Sequence, residues 1–175
     1  MIRLLFACGF SVAVASAQGP ILKSFMPRYE AAKLNFIETA ELFPEKDFSY
    51  RLTPQQRTVS EWIDHTVMSL HNNCSALEGK AAPPMDHSKH SGDLSKAQLQ
   101  KALKDAFDHC DSAIKGLTDE KVVQAVSVNG KESYPINSMF GILIVLNEHY
   151  GNLVGYMRTK GLVPPSTARA MKAKK

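Results

Sequence analysis

Apolar residues recur every three or four positions in four long segments of the chain, and this spacing predicts four amphipathic helices. The segments cover about 21–43, 58–77, 95–117 and 137–160. In the first segment, the apolar face consists of Phe25, Tyr29, Ala32, Phe36 and Ala40. Strand-like alternation is confined to the short stretch 122–128. The pattern therefore predicts an all-α protein.

Helix start and stop signals bound these segments. Thr58 and Ser95 are suited to be N-caps, and Glu61 and Gln98, three positions later, complete a capping box in each case. The fourth helix is expected to end at Gly161, because glycine readily adopts the backbone conformation that closes a helix. These signals agree with the boundaries that the apolar spacing gives.

Four helices of about 20 residues are typical of a four-helix bundle. The polar connection 78–94 is rich in Pro and Gly. At about 3.3 Å per residue it is long enough to cross the whole bundle. Such a crossover would leave the second and third helices parallel. We therefore predict an all-α four-helix bundle with a long crossover between helices two and three.

The first 17 residues have the pattern of a secretory signal peptide. Arg3 precedes the apolar run Leu4–Ala15, and Ala15 and Ala17 supply the small residues of a cleavage site. The run is shorter than the roughly 20 residues that a spanning helix needs. We predict cleavage after Ala17 and export to the periplasm or the medium. A buried N-terminal helix and a lipoprotein anchored at Cys8 are the alternatives.

Two cysteines, Cys74 and Cys110, remain after cleavage, and export would place them in an oxidising compartment. They lie at nearly equal distances from the starts of their predicted helices. In parallel helices they would share one height, whereas in directly joined antiparallel helices they would differ by about 15–20 Å of rise. A disulfide needs Cα atoms within about 7 Å. We predict a Cys74–Cys110 bridge, with two buried free cysteines as the alternative.

The formal net charge of +4 is concentrated at the chain ends. The C-terminal stretch carries Arg169, Lys172, Lys174 and Lys175 and no acidic residue. We expect residues 18–166 to form the bundle and residues 167–175 to be a disordered basic tail. Contact of this tail with anionic lipid or cell-wall polymer is the alternative. Nothing in the sequence indicates a nucleic-acid groove or a membrane span, and a homodimer through a helix face stays open.

Two of the six histidines are placed to face the bundle core. His65 lies beside Trp62 on the second helix, and His149 shares the apolar side of the fourth helix with Tyr156. Matched heights on facing helices would bring such side chains together. Each is either a core histidine or a metal ligand. A third ligand on the same face would stand four residues before His149, where the chain has Val145.

The other four histidines give weaker signals. His71 and His109 have polar neighbours and are interpreted as surface residues. His87 and His90 lie in the long connection near Met85 and Asp86. That short stretch has the thioether and imidazole groups of a loose copper or silver site.

Two segments resemble the DinB-like family of four-helix bundles. They are "AELFPEKDFSYRLTPQQRTVSEWIDH", ending on His65, and "NEHYGNLVGYMRTKGLVPPS", similar to an exported branch with an EHYGNL…VPPS ending. The resemblance implies an up-down-down-up helix order. It also implies a nickel or zinc ion held by three histidines, two of which match His65 and His149. The third position of the family pattern falls on Val145, which cannot bind a metal.

Three functions are compatible with these features. The first is a divalent-metal-dependent enzyme, similar to the transferases, isomerases and hydrolases of the family, with an incomplete site. The second is a protein that binds a small molecule in a pocket lined by Trp62, Val145 and Tyr156, without turnover. The third is a degenerate family member whose histidines only pack. Metal content discriminates the first from the others.

Overall fold

A computed structural model of the protein describes residues 19–84 and 94–174. The predicted signal peptide, residues 1–17, and the predicted loop site at Met85, Asp86, His87 and His90 lie outside the described residues.

Helices make up most of the described chain. In chain order the helices and strands are α1 (Pro20–Leu42), a 3₁₀ turn (Glu45–Asp47), α2 (Val59–Leu77), α3 (Lys96–Lys115), α4 (Asp119–Val122), β1 (Val126–Val128), β2 (Lys131–Ser133), α5 (Pro135–Thr159) and α6 (Pro165–Lys172). The long helices α1, α2, α3 and α5 are the four that the apolar spacing predicts. None of the helices in the described ranges is both long and apolar enough to cross a membrane.

The predicted helix starts are confirmed in detail. The Thr58 hydroxyl accepts from the amide of Glu61, and the Glu61 carboxylate accepts from the amide of Thr58. Ser95 and Gln98 form the same reciprocal box at the start of α3. These bonds satisfy amides that have no partner within the helix, which fixes where α2 and α3 begin.

Contacts between the helix ends give the topology. The Lys96 ammonium, at the start of α3, donates to the carbonyls of Glu41 and Phe43 at the end of α1, so α1 and α3 are antiparallel. Trp62, early in α2, bonds to Tyr156, late in α5, so α2 and α5 are also antiparallel.

Two further contacts relate these pairs. Phe36 of α1 packs against Tyr150 of α5, and Thr39, further along α1, contacts Met157, further along α5, so α1 and α5 run parallel. The order up-down-down-up follows, with α2 and α3 parallel. The connection 78–95 therefore joins opposite ends of the bundle, as predicted.

The disulfide confirms the parallel pair independently. Cys74 of α2 and Cys110 of α3 are bonded, with Cα atoms 5.0 Å apart. Both cysteines are fully buried. The equal distances of the two residues from their helix starts therefore did predict the bridge.

The core lies between the four long helices. Aromatic and branched side chains fill it, and each one buried contributes about 1.5–3 kcal/mol of transfer free energy. Its largest fully buried members include Tyr29, Phe36, Phe43, Ile63, Leu70, Phe107, Leu146 and Tyr156. The four predicted apolar faces therefore meet in a single cluster.

A small hairpin departs from the sequence prediction. The stretch 122–128 was expected to be weakly strand-like, but only Val126–Val128 is a strand, paired antiparallel with Lys131–Ser133. The turn residues Asn129 and Gly130 have φ of 53° and 74°. An Asn–Gly pair favours this left-handed two-residue turn. Strands of three residues are too short for alternation to reveal them.

The C-terminal segment also differs from the expected disordered tail. Pro165–Lys172 form α6, and the Arg169 guanidinium bonds to Glu38 and Asn35 of α1. The Tyr150 hydroxyl lies 2.9 Å from the Ser166 hydroxyl and accepts from the Ser166 amide at 3.1 Å. Composition indicated only a run of positive charge. The partners that order it stand on α5, 16 residues before Ser166, and on α1, more than 130 residues before Arg169.

Candidate functional site

The antiparallel packing of α2 against α5 brings the two inward-facing histidines together. The ring centroids of His65 and His149 are 4.9 Å apart, with an angle of 33° between the ring planes. Trp62 stands next to both, with its ring centroid 5.1 Å from that of His149 and 6.5 Å from that of His65. Three rings from two helices thus form one cluster near the end of the bundle where α2 begins.

His149 is buried and held in one tautomer. Only 4% of its surface is exposed, and its Nδ1 lies 2.9 Å from the Thr66 hydroxyl. That hydroxyl has a single hydrogen, which it donates to the Trp62 carbonyl at 2.8 Å. Nδ1 of His149 must therefore carry the hydrogen. In the neutral ring this leaves the lone pair on Nε2.

Both imidazoles are kept neutral at ordinary pH. Burial, and then the neighbouring His65 and Arg57, together lower the pKa of His149 to about 4. The pKa of His65 is lowered by partial burial and then by Arg57, against opposing contributions from Asp64 and Glu148. Burial disfavours the charged form, and the guanidinium repels a second positive charge.

A chain of hydrogen bonds fixes the groups around this cluster. The Trp62 indole donates to the Tyr156 hydroxyl at 3.2 Å, and that hydroxyl donates to the Arg57 carbonyl at 2.6 Å. The Arg57 guanidinium carbon lies 5.2 Å from the Trp62 ring centroid, in the range of a cation–π contact. The segment that precedes α2 is therefore anchored to α5, with its positive charge beside the histidines.

A cavity of about 630 Å³ opens beside the cluster. Its lining residues are mainly polar or charged and consist of Arg51, Gln55, Gln56, Arg57, Glu61, Trp62, Asp64, His65, Met68 and Asn152. The volume is in the range of small-molecule sites. Trp62 and His65 reach this cavity, whereas Tyr156 and His149 stand behind them in the core.

Val145 is half-buried on α5, one turn before His149. It does not line the cavity beside Trp62, so of the three predicted pocket residues only Trp62 does. Its isopropyl group offers no metal donor. Across residues 19–84 and 94–174, no group of three or more histidine, cysteine or carboxylate side chains is arranged to hold a metal ion.

These residues do not fit a resident metal of the three-histidine kind. Catalytic zinc usually has three protein ligands and one water. His65 and His149 supply two imidazoles, and the neighbouring Arg57 adds a positive charge that disfavours a dication. No chemical step is therefore assigned to a metal at this site.

A second histidine pair occurs at the other end of α2. His71 and His109 were interpreted as surface residues, but both are half-buried, and their rings stack with centroids 5.6 Å apart. Glu78 lies 3.4 Å from Nε2 of His109. Burial lowers the pKa of His71, and His109 lowers it further. The pairing follows from the parallel packing of α2 and α3.

Two residues of the site were not predicted from the sequence. Thr66 lies among the apolar positions of α2, and Arg57 lies in the polar stretch that precedes this helix. Thr66 stands four residues after Trp62, a spacing at which a threonine hydroxyl can bond back to a helix carbonyl. No sequence signal marked Arg57, because its position depends on the Tyr156 hydroxyl of another helix.

No protein-family model matches the chain, and a search of curated proteins finds no match.

Solved structures do resemble it. The DinB-like protein YjoA of Bacillus subtilis superposes with a TM-score of 0.64 at 18% identity, covering 80% of this chain and 93% of its own. YfiT of the same species, described as a probable metal-dependent hydrolase with an unusual four-helix bundle topology, gives 0.64 at 13% identity, covering 85% and 93%. The mycothiol-dependent maleylpyruvate isomerase gives 0.63 at 11% identity, covering 75% and 60%. The chain therefore has the DinB-like fold.

Proposed function

We propose that this protein binds a small organic molecule in the cavity beside Trp62 and His65, without a resident three-histidine metal. The observation that carries the proposal is the paired arrangement of His65 and His149 next to a cavity of about 630 Å³. The neutral His65 ring, the Trp62 edge and the side-chain amides of Gln55, Gln56 and Asn152 offer hydrogen bonds and apolar contact to a ligand.

The fold neighbours support a small-molecule site but not its chemistry. The metal-dependent activity given for YfiT and the mycothiol dependence given for the isomerase describe those proteins. Among residues 19–84 and 94–174, no third metal donor joins His65 and His149, and Val145 stands at the third position of the family pattern. A ligand-binding role needs no third donor. A metal-dependent transferase or hydrolase, with zinc or nickel, does.

Metal analysis and native mass spectrometry of gently purified protein test this proposal together. We expect zinc and nickel well below one equivalent per chain. An organic ligand bound to native protein, and lost on denaturation, would support the proposal directly. Stoichiometric zinc or nickel would contradict it, and would restore the metal-dependent enzyme as the better function.

Trp62 is the single tryptophan of the sequence, so its fluorescence reports on this site alone. We expect ligands recovered from native protein to change that fluorescence. The variant His65→Asn should weaken the response, because it alters a ring that lines the cavity. His71→Asn is the matched control, since it makes the same change in another half-buried histidine of α2. Equal weakening by both variants would argue against a site at His65.

We further propose that the protein is exported. The basis is the sequence pattern of residues 1–17, and the described helical fold begins shortly after it, with α1 at Pro20. Mass spectrometry of protein expressed in a bacterial host should find a mature chain starting at Gln18. A chain that keeps residues 1–17 and stays in the cytoplasm would contradict export.

A further inference from the structure

We propose that the ligand of this cavity is an organic carboxylate and that the Arg57 guanidinium binds its charged group. This inference rests on the proposed ligand-binding function of the same cavity. It adds a chemical class to the ligand. It assigns a binding role to a residue that neither the sequence pattern nor the family resemblance singled out.

Arg57 is held in place beside the cavity by its backbone and by the Trp62 ring. Its carbonyl accepts from the Tyr156 hydroxyl at 2.6 Å, which ties the backbone of the connection to α5. Its guanidinium stacks on Trp62 at 5.2 Å and lines the cavity. Arg57 remains exposed. A guanidinium held by its backbone and by a ring face, yet open to solvent, is preoriented for a carboxylate.

Charged side chains of both signs line the cavity: two arginines and two carboxylates. Of these, Glu61 accepts from the Thr58 amide at 2.6 Å as part of the α2 cap and lies 3.8 Å from Arg51. That pair largely neutralises itself at the rim. Asp64 remains as the acidic counterpart of Arg57 on the lining.

Geometry places the Arg57 charge at the histidine end of the cavity. Its guanidinium carbon lies 5.2 Å from the Trp62 ring centroid, and Trp62 stands next to the rings of both His65 and His149. A cation would meet repulsion there, whereas a carboxylate would meet a guanidinium and amide donors from Gln55, Gln56 and Asn152.

A charge-matched series of probes tests the inference. Benzoate, benzamide and benzylamine share one ring and differ in charge. Trp62 fluorescence gives the affinity of each. We expect benzoate to bind about tenfold more tightly than either of the others, and Arg57→Gln to remove that preference without weakening benzamide. Arg158→Gln is the control: it removes an exposed arginine near the same end of the bundle and should keep the preference.

Quenching of Trp62 provides a second measurement that does not depend on ligand shape. The ratio of iodide to caesium quenching, with each normalised to a neutral free tryptophan derivative, should exceed one in the wild-type protein, fall in Arg57→Gln and stay unchanged in Arg158→Gln. A thermal melt of each variant shows whether it is folded.

Several outcomes overturn the inference. The first is that benzoate does not bind. The second is that benzamide or benzylamine binds as tightly as benzoate. The third is a quenching ratio that Arg57→Gln does not change. Binding of benzamide alone, or a neutral ligand recovered from native protein, would reject the carboxylate and leave the ligand-binding function standing. A protein that retains no ligand and responds to none of the three probes would count against both.

Discussion

At the scale of single residues, the site is defined by which groups are forced to be neutral. His149 is buried, donates from Nδ1 to Thr66, and faces the ring of His65. Protonating it would place a charge in the core next to Arg57. The same burial that makes His149 a weak base makes the stability of the fold sensitive to its protonation.

The depressed pKa of His149 predicts a loss of stability in acid. The folded pKa is about 4, against an ordinary value of 6.5. Between these values the unfolded chain binds more protons, so the free energy of unfolding falls as pH drops. We expect the protonation of His149 to lower the free energy of unfolding by about 2 kcal/mol between pH 7.5 and pH 5. Urea unfolding of wild type and His149→Gln, with a chelator present, measures this. Equal losses in both would contradict it.

Thr66 should matter because it is the hydrogen-bond partner of a buried ring. Thr66→Val keeps the shape of the side chain but leaves Nδ1 of His149 without its acceptor, which should cost about 1–3 kcal/mol of unfolding free energy. Thr66→Ser retains the hydroxyl and should cost less. Chemical denaturation compares the two. A valine variant as stable as the serine variant would show that the bond contributes little.

At the scale of helices, the rotation of α5 decides which residues can act together. His149 and Val145 are one turn apart on the same helix, and Val145 is half-buried while its neighbour Ile144 is exposed. Residues four apart share a helix face, whereas adjacent residues differ by about 100°. On this face of α5, Val145 therefore occupies the position that the family resemblance assigns to a third histidine.

Replacing Val145 with histidine should create a metal site. Val145→His would place a third imidazole one turn before His149, and three converging imidazoles hold zinc or nickel far better than two. We expect zinc affinity by calorimetry to rise at least about tenfold. Ile144→His is the matched control, because it adds the same ring on the exposed face of α5. Equal affinities in the two variants would show that His65 and position 145 do not converge.

At the scale of the whole molecule, the crossover and the disulfide together set the topology. The connection 78–95 carries the chain between opposite ends of the bundle, and the Cys74–Cys110 bond joins the two helices that it leaves parallel. The short helix α6 then fastens onto α1 through Arg169 and onto α5 through Ser166. The disulfide and the Arg169 contact thus oppose separation of helices that are distant in sequence.

Loss of the disulfide should therefore destabilise the fold strongly. The bond closes a loop with a sequence separation of 36. Loop-closure entropy predicts about 4 kcal/mol for that length. We expect chemical denaturation to show that the double variant Cys74→Ala, Cys110→Ala loses most of this unfolding free energy. Oxidised and reduced wild-type protein provide the control without a change of sequence. Unchanged stability in both experiments would contradict the estimate.

Much of the architecture could be predicted from local pattern. The spacing of Phe25, Tyr29 and Phe36 identified α1, and Thr58 and Ser95 marked the starts of α2 and α3. The hairpin around Asn129 and the helix α6 were missed. Both elements are short, so their own residues show too little periodicity to predict them. The helix α6 also depends on contacts with α1, which lies far away in the chain.

The sequence by itself determined the four helices, the parallel pair joined by the disulfide, and the inward orientation of His65 and His149, because periodicity and caps are local properties. It also determined the lack of a third histidine at Val145. Only the tertiary structure decided that Arg57 stands over Trp62, that Thr66 fixes the tautomer of His149, and that the cavity opens at His65 rather than at Tyr156. Those contacts depend on the relative height and rotation of two packed helices, which no single segment encodes.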